Sequence, residues 1–400
     1  MTAPPPGYLG FLRENGRAVA FGALLTLLSS FGQTFFVALS APGIRAEFGF
    51  TEGGLGLLYA GATLAAGLLL GWAGRLIDRT SWRRYTAAVC LGLAAGCAGM
   101  ALAGQAWMVA LLYVVLRLCG QGLTTHTAMT VTARRFPRDA GKALGLAALG
   151  LVIGEAVLPP AAVALLPGLG WRGLWWVAAM LVLAGMLAAL WLLDVGEPPA
   201  RPQTAAMPPV PLWRDRTFLL MQPALQAPPF IMTGFLFNQV RLAEEMGWAM
   251  AVYAGTFVVF AAMRAAGMLF AGPVIDRLGA ARLLPVYLLP LMAAMGALVL
   301  GQGSHASALV FMVMAGLTNG VIATLGTALA AQLYGAERLA AVRAAIAGGL
   351  LIAAALAPAC FGLLLDAGIG LRAQAGACLL GLAVASLLTL PVARREAARG

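Results

Sequence analysis

Apolar runs of helix-spanning length recur along the whole chain, separated by short polar or charged breaks. Six precede a proline- and arginine-rich stretch and six follow it. They lie near 18–40, 53–74, 85–104, 107–131, 143–166 and 173–193, then near 217–239, 249–272, 283–302, 306–332, 343–365 and 372–391. A helix crosses a bilayer in about 20 residues, so each run is long enough. Val195–Arg216 interrupts the series with Pro198, Pro199, Pro202, Pro208, Pro209 and Pro211 beside Arg201, Arg214 and Arg216, and reads as a linker. The pattern predicts an all-α membrane protein with twelve transmembrane helices in two six-helix pseudo-repeats, 1–194 and 217–400, joined over 195–216. Met1–Arg17 is too polar to span. The first run exceeds the roughly 7–15 residues of a signal-peptide core, so it is read as a retained helix.

Composition and charge sharpen this. With 61% hydrophobic and 10% charged residues, the chain lacks the polar surface a soluble globule needs. Its formal charge of +11 would point to nucleic acid in a soluble protein. Here location decides, because Lys and Arg gather in cytoplasmic loops. If both termini are cytoplasmic, twenty Lys and Arg fall on the inner side and four (Arg45, Arg172, Arg241, Arg372) on the outer. That count predicts cytoplasmic N and C termini and leaves nucleic acid without a role. Cys90, Cys97, Cys119, Cys360 and Cys378 lie in apolar runs without Cys-x-x-Cys spacing, so neither a disulfide framework nor a metal site is expected, and no cofactor. Lys142 is the sole lysine among many arginines, a bias of GC-rich bacterial genes, which points to a bacterial inner (plasma) membrane.

One motif occurs twice. Gly71–Arg84 reads GWAGRLIDRTSWRR and Gly272–Arg282 reads GPVIDRLGAAR, and their aspartates, Asp78 and Asp276, stand half a chain apart. Gly74, Asp78, Arg79, Arg83 and Arg84, then Gly272, Asp276, Arg277, Gly279 and Arg282, occupy the positions of a Gly-x-x-x-Asp-Arg-x-Gly-x-Arg-Arg loop. Together with two six-helix halves and a basic linker, the chain resembles the major facilitator superfamily over nearly its whole length. Ser81 departs from the pattern, standing where the family has Gly. The resemblance implies a secondary transporter working by alternating access, monomeric and embedded in lipid. Physically, Gly74 permits a close helix approach, and Asp78 is placed to meet a helix N-terminus or the basic pair Arg134 and Arg135. Such a cluster would be a latch released when the halves rock. No metal-spaced His/Cys cluster or nucleotide loop is present, so an enzyme is not expected. A non-transporting sensor would need an output segment larger than the linker and tails.

Ionisable residues inside spans are costly, on the order of 2.5–3.5 kcal/mol each, and mark function by default. Arg117 and His126 fall in the fourth span, Glu155 in the fifth and Arg264 in the eighth. Arg117, Gln121 and Thr124 share a stripe at α-helical spacing. In the resembled family helices 1, 4, 7 and 10 line the central path, which adds Gln33 on the first, Gln222 and Gln226 on the seventh, and Thr318 and Asn319 on the tenth. Each of these polar groups is equally suited to joining helices to one another. Arg117 and Arg264, with no acidic residue in those four helices, predict a cavity for a small organic anion. Arg264, Gly267 and Gly272-x-x-x-Asp276 resemble the helix-8 arginine of the monocarboxylate and oxalate/formate branch, which implies a monocarboxylate. Glu155 is the candidate proton carrier: burial raises and a nearby arginine lowers a carboxyl pKa, so substrate arriving at Arg117 would release Glu155 to protonate. His126 is a second proton candidate and, by its phase relative to Arg117, a packing residue first. A proton-driven drug or metabolite efflux antiporter is the alternative, weakened because Gly150 and Gly154 are present without the Gly-Pro pair of that branch.

Overall fold

The computed structural model describes residues 8–192 and 212–398. The proline-rich part of the expected linker, including Pro198, Pro199, Pro202, Pro208, Pro209, Pro211 and Arg201, lies outside the described residues. Every regular element among those described is helical. Eight helices are long and apolar enough to cross a membrane, and a bent pair, Gly10–Gly32 with Thr34–Phe48 at 44°, makes a ninth. Leu68 and Leu300 are 82% and 85% exposed, a cost in water that disappears against lipid tails.

The first helix begins at Tyr8, well inside the stretch expected to be a polar tail, and is kinked at Asn15 (φ −122°, ψ 17°). It runs to Ser29, tightens into a 3₁₀ turn over Ser30–Gly32, and breaks at Gln33 (ψ 153°) before resuming at Thr34. Ala140–Leu192 and His305–Asp366 are hydrogen-bonded helices far longer than a bilayer is thick, broken by Gly170 (φ 63°) and Gly335 (φ 70°). Both breaks use the positive φ that glycine alone adopts freely.

The chain divides into two compact units, Met1–Gly43 with Ala65–Pro202, and Ile44–Leu64 with Gln203–Gly400. The first half of the Glu52–Ala73 helix thus groups with the C-terminal helices. Asp366 explains why: its Oδ1 and Oδ2 accept the backbone N–H groups of Glu52 (3.1 Å) and Gly53 (3.0 Å), two donors with no partner inside their own helix. One turn on, a Cβ on Gly56 would lie 2.3 Å from the Pro358 carbonyl, so only glycine fits that approach. Tyr59 then packs on Phe237, the ring centroids 4.7 Å apart and the planes tilted by 45°. Glu245 plays the same capping part within this unit, accepting from Leu371 (2.8 Å) and Arg372 (2.9 Å).

Prolines in the spanning helices free carbonyls four residues back, and neighbours take them up. Pro228 frees the carbonyl of Ala224, which accepts the Tyr287 hydroxyl.

Candidate functional site

In the first unit the polar residues converge on the break in helix 1. Leu116–Thr124, LRLCGQGLT, is wound as a π-helix, a winding that recurs at functional sites. Its glycines allow a backbone-to-backbone crossing: a Cβ on Gly32 would sit 2.3 Å from the Leu116 carbonyl and 2.8 Å from the Gln121 nitrogen, and one on Gly120 would sit 2.6 Å from the Gly32 Cα. Arg117, 3% exposed, donates from Nη1 to the Gly32 carbonyl at 3.1 Å. Gln33 and Gln121, both half-buried, flank the same crossing. A π turn takes more residues than an α turn, so the expected Arg117–Gln121–Thr124 stripe does not hold as drawn. Thr124 is fully buried, and its hydroxyl donates to the Cys119 carbonyl five residues back.

Glu155, 7% exposed, follows directly on a second contact with helix 1. Its neighbour Gly154 packs on Ser30, where a Cβ would come within 2.1 Å of the hydroxyl oxygen, and a Cβ on Gly150 would come within 1.7 Å of the Ala23 carbonyl. Thr26 ties the two helices by donating to the Ala147 carbonyl. Arg117 and Gly154, the residue before Glu155, thus meet helix 1 within Ser30–Gly32, and both Arg117 and Glu155 are buried.

His126 lies apart from this cluster. Its Nε2 meets the Gly74 carbonyl at 3.2 Å, and the ring is what a Gly74 Cβ would touch, at an ordinary 3.4 Å. Gly74 thus faces a histidine ring and not a closely approaching backbone. Nearby, Arg134 donates to and pairs with Asp78, while Arg79 and Arg83 are exposed. Ser81 is extended (φ −66°, ψ 140°) and caps the Trp82–Leu102 helix by accepting the Arg84 N–H at 3.3 Å, so its departure from Gly strains nothing. In the second copy Gly279 takes φ 83°, a conformation that does call for glycine. Gly272 has open space around it, and Asp276 and Arg277 are exposed, so the two copies differ in packing.

In the second unit Arg264 is half-buried where two helices cross closely: a Cβ on Gly320 would sit 2.3 Å from the Arg264 carbonyl, and one on Gly316 would sit 2.6 Å from the Phe260 carbonyl. Asn319, beside Gly320, donates to its own helix at Ala315 (2.9 Å) and Thr318 to Met314 (3.3 Å). Gln226 donates to Gln222 at 2.6 Å and lies over Gly349, away from that crossing. It lines an apolar cavity of about 480 Å³ together with Phe230, Phe361, Gln374 and Cys360.

Arg343 is a residue that the sequence did not single out. It lines a second cavity of about 480 Å³, on a helix that runs from Glu337 to Asp366. Among the described residues no group of three or more His, Cys, Asp or Glu side chains is placed to hold a metal ion.

Helices long and apolar enough to cross a membrane, with every regular element among the described residues helical, define a multi-pass, all-α membrane protein. The sequence profile of the Major Facilitator Superfamily matches residues 22–240, more than half of the chain. The chain belongs to the major facilitator superfamily. It is therefore a transporter that carries small molecules across a lipid bilayer. No curated protein matches it. Its fold is similar to that of a bacterial homologue of the human lysosomal transporter Spinster, solved inward-facing and unoccupied (TM-score 0.69, 17% identity, 95% of this chain and 97% of that one). The same homologue in its inward-facing, occupied form gives a TM-score of 0.71 at 16% identity, covering 96% and 97%. At such identity the likeness concerns the fold alone.

Proposed function

We propose that the protein is a proton-coupled secondary transporter of a small organic anion, a monocarboxylate in the first instance. It works by alternating access of its halves, 1–194 and 217–400, in a bacterial inner membrane. Twelve crossings follow if Ala140–Leu192 is divided at Gly170 and the stretches 8–48, 216–246 and 283–300 each make one pass. The excess of arginine on one set of loops supports cytoplasmic termini.

The observation that supports the reading is Arg117 on the Gly32 carbonyl beside the break in the first helix, with Gly154, next to the buried Glu155, packed on Ser30. A buried charge is retained at a cost of several kcal/mol, and removing its compensation is costlier still. An arginine and a carboxyl at one break form a two-state element: an anion that takes over the guanidinium frees the carboxyl to take a proton. Arg264, Gln33, Gln121, Gln226 and Asn319 are the further proposed contacts to substrate. Asp78 with Arg134, and the motif residues Gly74, Arg79, Arg83, Gly272, Asp276 and Arg277, form the proposed gate, with His126 as a hinge contact to Gly74 more than a proton carrier.

A thermal-shift screen of the purified transporter against carboxylates, inorganic anions and cationic drugs tests the class of cargo. Stabilisation by a monocarboxylate, weakened in Arg117→Lys and Arg264→Ala, supports the proposal. Stabilisation by a cationic drug and by no anion defeats it.

A further inference from the structure

Arg117 holds the Gly32 carbonyl, and Arg264 has an interaction of its own. Arg343 differs. Among the described residues it has neither an ion-pair nor a hydrogen-bond partner, and it is exposed into a cavity of about 480 Å³. That volume falls in the range of small-molecule sites, roughly 300–1,000 Å³. The walls are Ile322, Ala323 and Gly326 on one helix and Ala344, Ala347 and Leu350 on the other, and Arg343 is the one charged residue lining them. Thr327 adds a hydroxyl already donated to the Ala323 carbonyl at 3.0 Å, which leaves the guanidinium as the site's donor for an anion. A guanidinium with no protein partner in such a cavity has its paired donors free for a ligand.

We propose that this cavity is a binding site for an amphipathic monoanion: one carboxylate on Arg343 and an apolar body against the small aliphatic wall. Guanidinium offers paired donors matched to one carboxylate. A second carboxylate would meet alanine, isoleucine and leucine side chains with nothing to bind it, so dianions are disfavoured. A neutral alcohol of the same length loses the ionic contact, and an amine is repelled. The role as a waypoint for cargo rests on the anion-transport reading above; the site itself does not.

The test is equilibrium binding of radiolabelled hexanoate to the full-length transporter in nanodiscs. Arg343→Gln is expected to weaken binding at least tenfold. Placing the charge one turn further along the same wall, in Arg343→Gln with Ala347→Arg, is expected to recover most of that loss, which separates a lost site from a misfolded protein. Succinate, hexanol and hexylammonium are expected to compete at least tenfold less well than hexanoate. Binding by Arg343→Gln within twofold of wild type, equal competition by hexanol, or no hexanoate binding by wild type overturns the proposal. Hexanoate uptake into proteoliposomes is scored separately. Binding that depends on Arg343 without any uptake keeps the site and refutes anion transport, whereas uptake that ignores Arg343 does the reverse.

Discussion

Asp366→Asn is expected to loosen the start of the Glu52–Ala73 helix without unfolding it. The wild-type carboxylate accepts two first-turn N–H groups, from Glu52 at 3.1 Å and Gly53 at 3.0 Å, which no residue of their own helix can satisfy. Asparagine keeps one acceptor oxygen, turns an N–H₂ toward a second N–H, and removes the charge that favours the positive helix end. The lost helix-end attraction is worth about 0.3–1 kcal/mol, and a hydrogen bond to a charged group about 1 kcal/mol more than one to a neutral group. The sum, about 1–2 kcal/mol, corresponds to roughly a 5- to 30-fold rise in the open population. Hydrogen–deuterium exchange resolved to single residues reads this directly, because these two amides owe their protection to Asp366. The Gly54 amide, held by the Thr51 hydroxyl at 2.9 Å, is an internal control and should not change. Glu52→Gln, which removes the ion pair to Arg45 (2.5 Å) and leaves the backbone donors in place, should also spare them. Unchanged exchange at Glu52 and Gly53 in Asp366→Asn would falsify the assignment of this carboxylate as the clasp.

Three further outcomes follow from the packing and the pairs. Gly150→Val should destabilise the transporter by about 1–3 kcal/mol or prevent folding, since even a Cβ would lie 1.7 Å from the Ala23 carbonyl; a thermal melt equal to wild type contradicts that crossing. Asp78→Asn removes a partly exposed pair with Arg134, worth at most about 1 kcal/mol of stability, yet should slow turnover severalfold if the pair is a gate; normal turnover removes the gate. Glu155→Gln should retain anion binding and lose proton dependence, so uptake no longer responds to an imposed pH gradient; a full response moves the proton to another residue.

Much of this was readable from sequence because lipid imposes simple rules. Apolar length located the helices, and charge placed within them singled out Arg117, Glu155 and Arg264. What escaped depends on partners far away in the chain. The π winding over Leu116–Thr124 coincides with Gly120 meeting Gly32, a contact 88 positions apart that no local propensity announces. The Asp366 clasp joins residues more than 300 positions apart. Ser81 and Gly279 occupy equivalent motif positions with different backbones, because Ser81 caps its helix through a side chain that glycine lacks. Arg343 was not singled out because nothing local shows that Ile322, Ala323 and Gly326 line a cavity with it.

The central claim is that anion movement and proton movement are linked through Arg117 and Glu155. Uptake of a labelled monocarboxylate into proteoliposomes, with the pH gradient imposed in either direction and proton flux recorded in the same vesicles, tests it most directly. The account predicts uptake that follows the gradient, one proton moving with each anion, lost in Arg117→Ala and uncoupled in Glu155→Gln. Uptake indifferent to the gradient in wild type, or proton flux evoked by a cationic drug and by no anion, contradicts it.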